Sequence, residues 1–161
     1  MTTESENKLL ARRLLEEVLN GRAVDRLPEF LAPEYVADYA NITGIEGARQ
    51  HVLAFLHCYP DLFVTVDGQV AENDTVVTWY TMRGTHLGEF GSVPASRKQI
   101  TLRGVNIQRI RAGRIVEQWG GSNSLEALME LGVVRWAGEA GPAGGVSQPG
   151  PAPSVGQRSV Q

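Results

Sequence analysis

The chain has a single cysteine, Cys58, among its 161 residues. One thiol closes no intrachain disulfide, so the fold rests on its core, as expected of a protein kept in a reducing cytoplasm. Neither sign of charge is in excess, with 15 Lys and Arg against 18 Asp and Glu and a formal net charge of −3. That balance excludes the basic footprint of a nucleic-acid binder, and no zinc-finger or RNA-binding motif replaces it. Long apolar runs are missing too. Nothing approaches the roughly 20 apolar residues that cross a bilayer, and the opening MTTESENK lacks the apolar core of a secretory leader. There is no Rossmann fingerprint and no phosphate loop to hold a nucleotide or flavin. His51 and His57 share a helix but not the i,i+4 spacing of a metal pair, and both read as surface or satisfied core residues. The expectation is a cytoplasmic protein with no membrane, nucleic-acid, metal or cofactor partner.

What is present fits one domain over residues 1–136, followed by a tail. Residues 137–161 carry 10 Gly or Pro among 25 and little apolar content. Such a composition does not offset the entropy of ordering, so a disordered tail is expected.

Thr3 and Glu6 are spaced as a capping box ahead of a helix running to about Asn20, with Leu10, Leu14 and Val18 as its buried stripe. A second helix over Asp25–Leu31 turns Leu27, Phe30 and Leu31 inward and stops at Pro33. Tyr35–Ala40 follows as a short strand or extended arm. Thr43 and Glu46 repeat the capping-box spacing before a helix through Cys58, with Ala48, Val52, Phe55 and Tyr59 on one side. Leu62, Val64 and Val66 alternate in a first strand, and Asn73-Asp74 marks a turn. Thr75–Thr85 is apolar or aromatic on both faces, as in a strand covered on both sides. Gly88–Arg97, rich in Gly, Pro and Ser, is a loop long enough to cap a cavity mouth, with Phe90 as its candidate substrate contact.

The stretch from Lys98 to Val134 organises the rest. Ile100–Ile110 and Arg114–Trp119 are β-prone runs joined by Ala112-Gly113, a two-residue hairpin turn. Asn123 and Glu126 then open a helix that Gly132 closes. In the first of these strands Ile100 and Leu102 share one face, and Val105 and Ile107 lie on the other. Two readings account for this. A β-bulge at Gly104 would re-phase the strand, so that all four apolar residues point into one core. Without a bulge, Asn106 and Gln108 face a concave pocket, and Val105 and Ile107 cover an outer face that becomes a homodimer interface. Periodicity alone favours the bulge. Either way the fold class is α+β: helices on one face of a curved antiparallel sheet, enclosing a conical cavity for a small hydrophobic ligand.

RGTHLGEFGSVPAS followed by GRIVEQWGGSNSLEALMELGVV resembles the SnoaL-like polyketide cyclases. These belong to the nuclear-transport-factor-2 and ketosteroid-isomerase superfamily of cone-shaped α+β barrels. The resemblance spans about residues 5 to 134. It implies an acid/base aspartate in the last strand, helped by a histidine in the strand before it. With these the family closes a ring by intramolecular aldol condensation, without metal or cofactor. Here the histidine position falls on Asn106 and the aspartate position on Gly120. Asn106 can still donate a hydrogen bond to an enolate oxygen, whereas Gly120 can exchange no proton. The resemblance also favours the reading with no bulge and Asn106 inside.

Proton transfer then needs another group. His86, at the end of the central strand, is a catalytic candidate, because histidine is the side-chain type that in free solution shuttles protons near neutral pH; its alternative is anchoring the adjacent loop. Asp38 falls where many relatives place a polar residue facing the cavity, and its alternative is a turn aspartate. Asn106 completes the catalytic candidates. Tyr80 and Trp79 are on opposite faces of one strand, so only one of them lines the pocket. Gln118 and Gly120 face in, and Glu117 faces out.

Overall fold

The computed structural model describes residues 2–91, 93–135 and 137–138. The tail expected over residues 137–161 therefore lies outside the described residues, apart from its first two. Thr3 caps the first helix: its hydroxyl accepts from the Glu6 backbone N–H, and the Glu6 carboxylate takes the Thr3 N–H at 2.7 Å. This reciprocal pair is worth about 1 kcal/mol. Helix α1 (Glu4–Arg13) then changes its winding, and Leu14–Asn20 continues as a π-helix. Its buried stripe is Asn7, Ala11, Leu15 and Val18, with the expected Leu10 and Leu14 half-buried beside it. Asn20 ends the segment by gripping the sheet. Its side-chain amide donates to the Val64 carbonyl at 2.8 Å and accepts from the Val64 N–H at 2.7 Å. Strand β3 (Phe63–Glu72) is an edge of the sheet, so Asn20 satisfies backbone groups that have no strand partner there.

After a 3-10 turn over Val24–Arg26, helix α2 is only Leu27–Phe30. Leu27, Phe30 and Leu31 are all buried as expected, but Pro33 does not end the helix. It lies inside strand β1 (Leu31–Ala37), where the pairing with strand β6 (Arg114–Ser122) shifts register between Leu31 and Val36. An irregular stretch needs no ladder donor from proline. Strand β2 is Ile42–Thr43, and helix α3 is Gly44–Cys58 with Thr43 at its N-cap. Thr43 makes no side-chain capping bond, so the second capping box does not form.

The six strands run in the order β2-β1-β6-β5-β4-β3, with β4 spanning Thr75–Thr85 and β5 spanning Gln99–Arg111. The sheet is curved and open at both ends, and it is mixed: β1 and β6 pair in parallel, the others antiparallel. The hairpin joining β5 to β6 turns through Ala112 and Gly113, both at positive φ, as a type I′ turn requires. Helix α4 (Ser124–Glu130) closes the chain. At its end Gly132 has φ +77 and a Schellman pair of bonds, Gly132 N–H to Met129 and Val133 N–H to Leu128, each at 2.9 Å. At its start the Asn123 side chain does not cap. It accepts from the Arg103 N–H at 2.7 Å and donates to Glu126 at 2.8 Å, tying α4 to β5.

The bulge that periodicity alone favours at Gly104 is absent, and the reading with Asn106 inside holds. Strands β4 and β5 pair without interruption from Thr75↔Arg109 to Thr85↔Gln99. Ile100, Leu102, Asn106, Gln108 and Ile110 therefore share the concave face and are buried, while Val105 and Ile107 lie on the other. Gly104 serves a different purpose. Its cross-strand partner is Tyr80, whose ring lies where a Cβ at 104 would stand. The bulge is in β3 instead, between Val66 and Gly68, and there Trp79 covers Gly68 on the outer face. Trp79 is 43% exposed. Together with Val105 it stands next to a row formed by Trp119, Ile107, Val77 and Val70 across four strands. The middle of the outer face of β4, at Val77 and Trp79, is thus apolar but uncovered by any other part of the chain that the structure describes. No described helix is long and apolar enough to cross a membrane.

Because the Tyr80 ring occupies the space above Gly104, Gly104→Ala is expected to cost about 1–3 kcal/mol through overpacking. Thermal melts check this, and the same substitution made in a Tyr80→Ala background should cost far less.

Candidate functional site

Helix α3 presents Ala48, His51, Val52 and Phe55, spaced i, i+3, i+4 and i+7, to the concave face of the sheet. The π-helix adds Leu14, Leu15, Val18 and Leu19, bringing both apolar pairs of one segment to the same side. Between these helices and strands β1, β4, β5 and β6 lies a cavity of about 570 Å³. Its walls are mainly aliphatic, and both buried clusters of the core contribute to them: Leu27 and Leu31 from one, Met82 and Leu102 from the other.

The polar groups sit on the sheet side. Tyr80 of β4 points its hydroxyl at Asn106 Oδ1, 3.5 Å away, which leaves the Asn106 amide hydrogens unspent by that contact. Gln118 of β6 accepts from Gln108 Nε2 at 2.7 Å, and its own amide reaches the Tyr39 hydroxyl at 3.4 Å. Tyr35 of β1 and Tyr39, in a 3-10 turn over Asp38–Ala40, complete the polar wall. Burial pushes the Tyr80 phenol up to about 12, with Tyr39 as a lesser cause. Tyr35 is raised by burial and by Tyr39, and Tyr39 itself by burial. All three phenols therefore stay protonated at neutral pH and act as donors. Neutral amides and phenols in an apolar cavity suit a carbonyl oxygen that gains negative charge. Among the described residues, no three His, Cys, Asp or Glu side chains cluster to hold a metal ion.

Residues 9–131 match the family model of the SnoaL-like polyketide cyclases. The chain belongs to the SnoaL-like polyketide cyclase family. Solved structures agree. TsrD from Streptomyces laurentii is 25% identical, superposes with a TM-score of 0.75, and is matched over 83% of this chain and 100% of its own. IdmH from Streptomyces antibioticus, a candidate polyketide cyclase, is 30% identical with a TM-score of 0.66 over 79% of this chain and 99% of its own. AclR from Streptomyces galilaeus, a candidate hydroxylase, is 23% identical with a TM-score of 0.72 over 83% and 89% of the two chains, and shows the shared fold alone. No curated protein matches the chain at a significant level.

Of the residues expected in the site, this SnoaL-like cavity brings together Tyr80, Asn106, Gln118 and Gly120. Four others lie elsewhere. Trp79 is on the outer face of the sheet, as its strand parity requires once Tyr80 points in. Asp38 is exposed at the start of the 3-10 turn and borders a shallow surface groove with Asn41, Thr43 and Trp119. His86 is 1% exposed but behind the cavity: its Nδ1 accepts from the Ser96 N–H at 3.2 Å, and its ring sits 5.7 Å from Tyr59. Anchoring the loop is the role this geometry fits. Phe90 is 57% exposed on that loop. The loop folds against the end of α3, where Leu87 N–H and Gly88 N–H both donate to the Cys58 carbonyl, and none of its described residues lines the cavity.

Among the lining residues that escaped the sequence reading are Tyr35, Tyr39, His51, Ser122 and Ser124. The spacing of His51 within the apolar face Ala48, Val52, Phe55 carried the signal, because i+3 falls between i and i+4 on a helix. Gly121 is open, but Gly120 has φ +136 and its missing Cβ would collide with the Val105 carbonyl. Gly120→Asp, which restores the family's carboxylate, should therefore lower stability by on the order of 1–3 kcal/mol of backbone strain. A variant that melts with the parent would contradict this.

Proposed function

We propose that the protein is a cofactor-independent enzyme of natural-product biosynthesis that cyclises or isomerises a polyketide-like or terpenoid intermediate by proton transfer. The observation that carries this reading is the Tyr80–Asn106 pair set in the apolar cavity: the Tyr80 hydroxyl takes the Asn106 oxygen and leaves the Asn106 amide hydrogens to donate, beside 570 Å³ of space, enough for a ligand of drug-like size. When a proton leaves the carbon next to a carbonyl, the oxygen becomes an enolate. Fixed donors in a dry site favour that charge without reorganising as it forms. Family membership supports the reaction class, and the apolar walls support a hydrophobic substrate.

The reading includes a homodimer built on the outer face of the sheet and a cytoplasmic location, in keeping with the free and buried Cys58. The rows through Trp79, Val105, Ile107 and Val70 would be covered by the same rows of a second copy. A second reading, a protein that holds such a ligand without transforming it, is favoured by one observation: among the described residues no carboxylate lines the cavity.

Incubation with linear poly-β-ketone esters and terpenoid ketones, read by mass spectrometry and chromatography, tests the first reading. A turned-over substrate should lose about 10²–10³-fold in kcat with Asn106→Ala. Tight retention of a ligand with no conversion would give the site to the second reading. Light scattering is expected to give twice 17.5 kDa for the parent chain and a single copy for Ile107→Glu. A monomeric parent would rule the interface out.

A further inference from the structure

Proton transfer requires a group that changes charge near neutrality, and the proposed function supplies donors but no base. Position narrows the choice. Among the described residues, the titratable side chains in the cavity lining are Tyr35, Tyr39, Tyr80 and His51, with no Asp, Glu, Lys, Arg or Cys. The phenols are held protonated and give hydrogen bonds. His51 is what is left.

Its setting suits the task. The ring lies edge-on to Tyr39, with centroids 5.8 Å apart, and stacks with Phe55 at 6.5 Å. These contacts fix the plane of the imidazole, while neither nitrogen is hydrogen-bonded among the described residues. Tyr39 links it to the polar wall through Gln118. The bland alternative is a histidine packed in an aromatic stack, and the two differ in what the free nitrogens do.

We infer that His51 is the general base of the cavity, taking a proton from the carbon beside a substrate carbonyl. This rests on the proposed function and names the group that moves its proton. A neutral imidazole nitrogen accepts the proton, and the C–H electron pair becomes the enolate, whose oxygen receives a hydrogen bond from the Asn106 amide, itself held by the Tyr80 hydroxyl. The enolate carbon then forms a C–C bond to a second carbonyl carbon of the same molecule. The π pair of that carbonyl moves to its oxygen, which takes the proton back from the imidazolium. Atoms and electrons balance within one molecule, and no co-reactant is needed. Burial lowers the His51 pKa below the ordinary histidine range, so the neutral, accepting form prevails at pH 7. The groups packed against it, Tyr39 and Phe55, carry no charge there.

The experiment uses two probes with the full chain. 2-Tetralone, a bicyclic ketone with acidic α-hydrogens, reports proton abstraction as deuterium uptake by NMR. 2-Naphthol, a flat phenol resembling its enol, reports cavity binding by fluorescence. The expected result is uptake faster than with free imidazole at equal concentration, reduced about 100-fold or more by His51→Gln, with 2-naphthol affinity kept. The parent rate should fall as pH drops through the His51 pKa, and the variant should lose that fall. Parental uptake by His51→Gln, or the same acid midpoint in both proteins, would overturn the inference and leave the proposed function with another base. Parent binding of 2-naphthol without accelerated uptake would also overturn it, while the cavity keeps its role as a ligand site. Neither binding nor uptake would count against the inference and the proposed function together.

Discussion

The unbroken register between β4 and β5 decides what the interior of this protein can be. A slip of one residue, or a bulge at Gly104, would exchange the faces of everything beyond it. Val105 and Ile107 would enter the core, and Asn106 and Gln108 would meet solvent. With eleven pairs in continuous register, the polar pair is turned inward and the aliphatic pair outward. The chain thus accepts two amides in an apolar interior and leaves an apolar strip outside. Burying an amide without partners costs roughly 2–7 kcal/mol in transfer terms. The cost is met in part: Gln108 Nε2 donates to Gln118 and Asn106 meets Tyr80, while Gln108 Oε1 stays buried without a partner among the described residues.

Two glycine–aromatic pairs hold this arrangement on either side of the same strand. Trp79 and Tyr80 are consecutive, so they point to opposite faces, and each lies across a glycine of a neighbouring strand, Gly68 in β3 and Gly104 in β5. A glycine with no side chain lets an aromatic ring come down onto the backbone, covering hydrogen bonds that would otherwise be open. On the inner face this tips the Tyr80 hydroxyl towards Asn106. On the outer face it flattens Trp79 onto the sheet, making a broad apolar surface from a residue that is still 43% exposed.

Much of the fold was legible because local signals and tertiary packing agreed. The Thr3–Glu6 box, the Ala112-Gly113 turn, the Gly132 stop and the whole of β4 carry short-range chemistry that the sequence states openly. The misreadings share a different cause. Asn123 and Thr43 had capping spacing, yet tertiary demands took the Asn123 side chain for β5 and left Thr43 unused. Gly104 is a glycine in a strand, which reads equally as a bulge or as a seat for an aromatic ring, and only the cross-strand partner distinguishes the two. The same limit applies to the site. Asn106, Tyr80 and Gln118 were found through strand parity and family resemblance. Asp38 and His86 were chosen for their chemistry, but burial and direction come from the fold. The Asp38 side chain leaves the cavity because β1 ends in a 3-10 turn one residue earlier, and this carries Tyr39 inward instead.

The two departures from the family's acid/base pair turn out to be one. Asn106 and Gly120 are direct partners across β5 and β6, so the positions the family fills with histidine and aspartate form a single cross-strand pair. A histidine at 106 without a carboxylate opposite would lose the neighbour that steadies its charged form. A neutral amide has no such need. Conversely, once 120 adopts φ +136 against the Val105 carbonyl, no side chain fits there, and a charged partner at 106 would have nothing to answer it. Across this pair the chain therefore presents a neutral amide and a glycine, a donor wall with no group that carries charge. Any ionisable group that works with it has to come from outside the sheet, across the cavity, from the helical side.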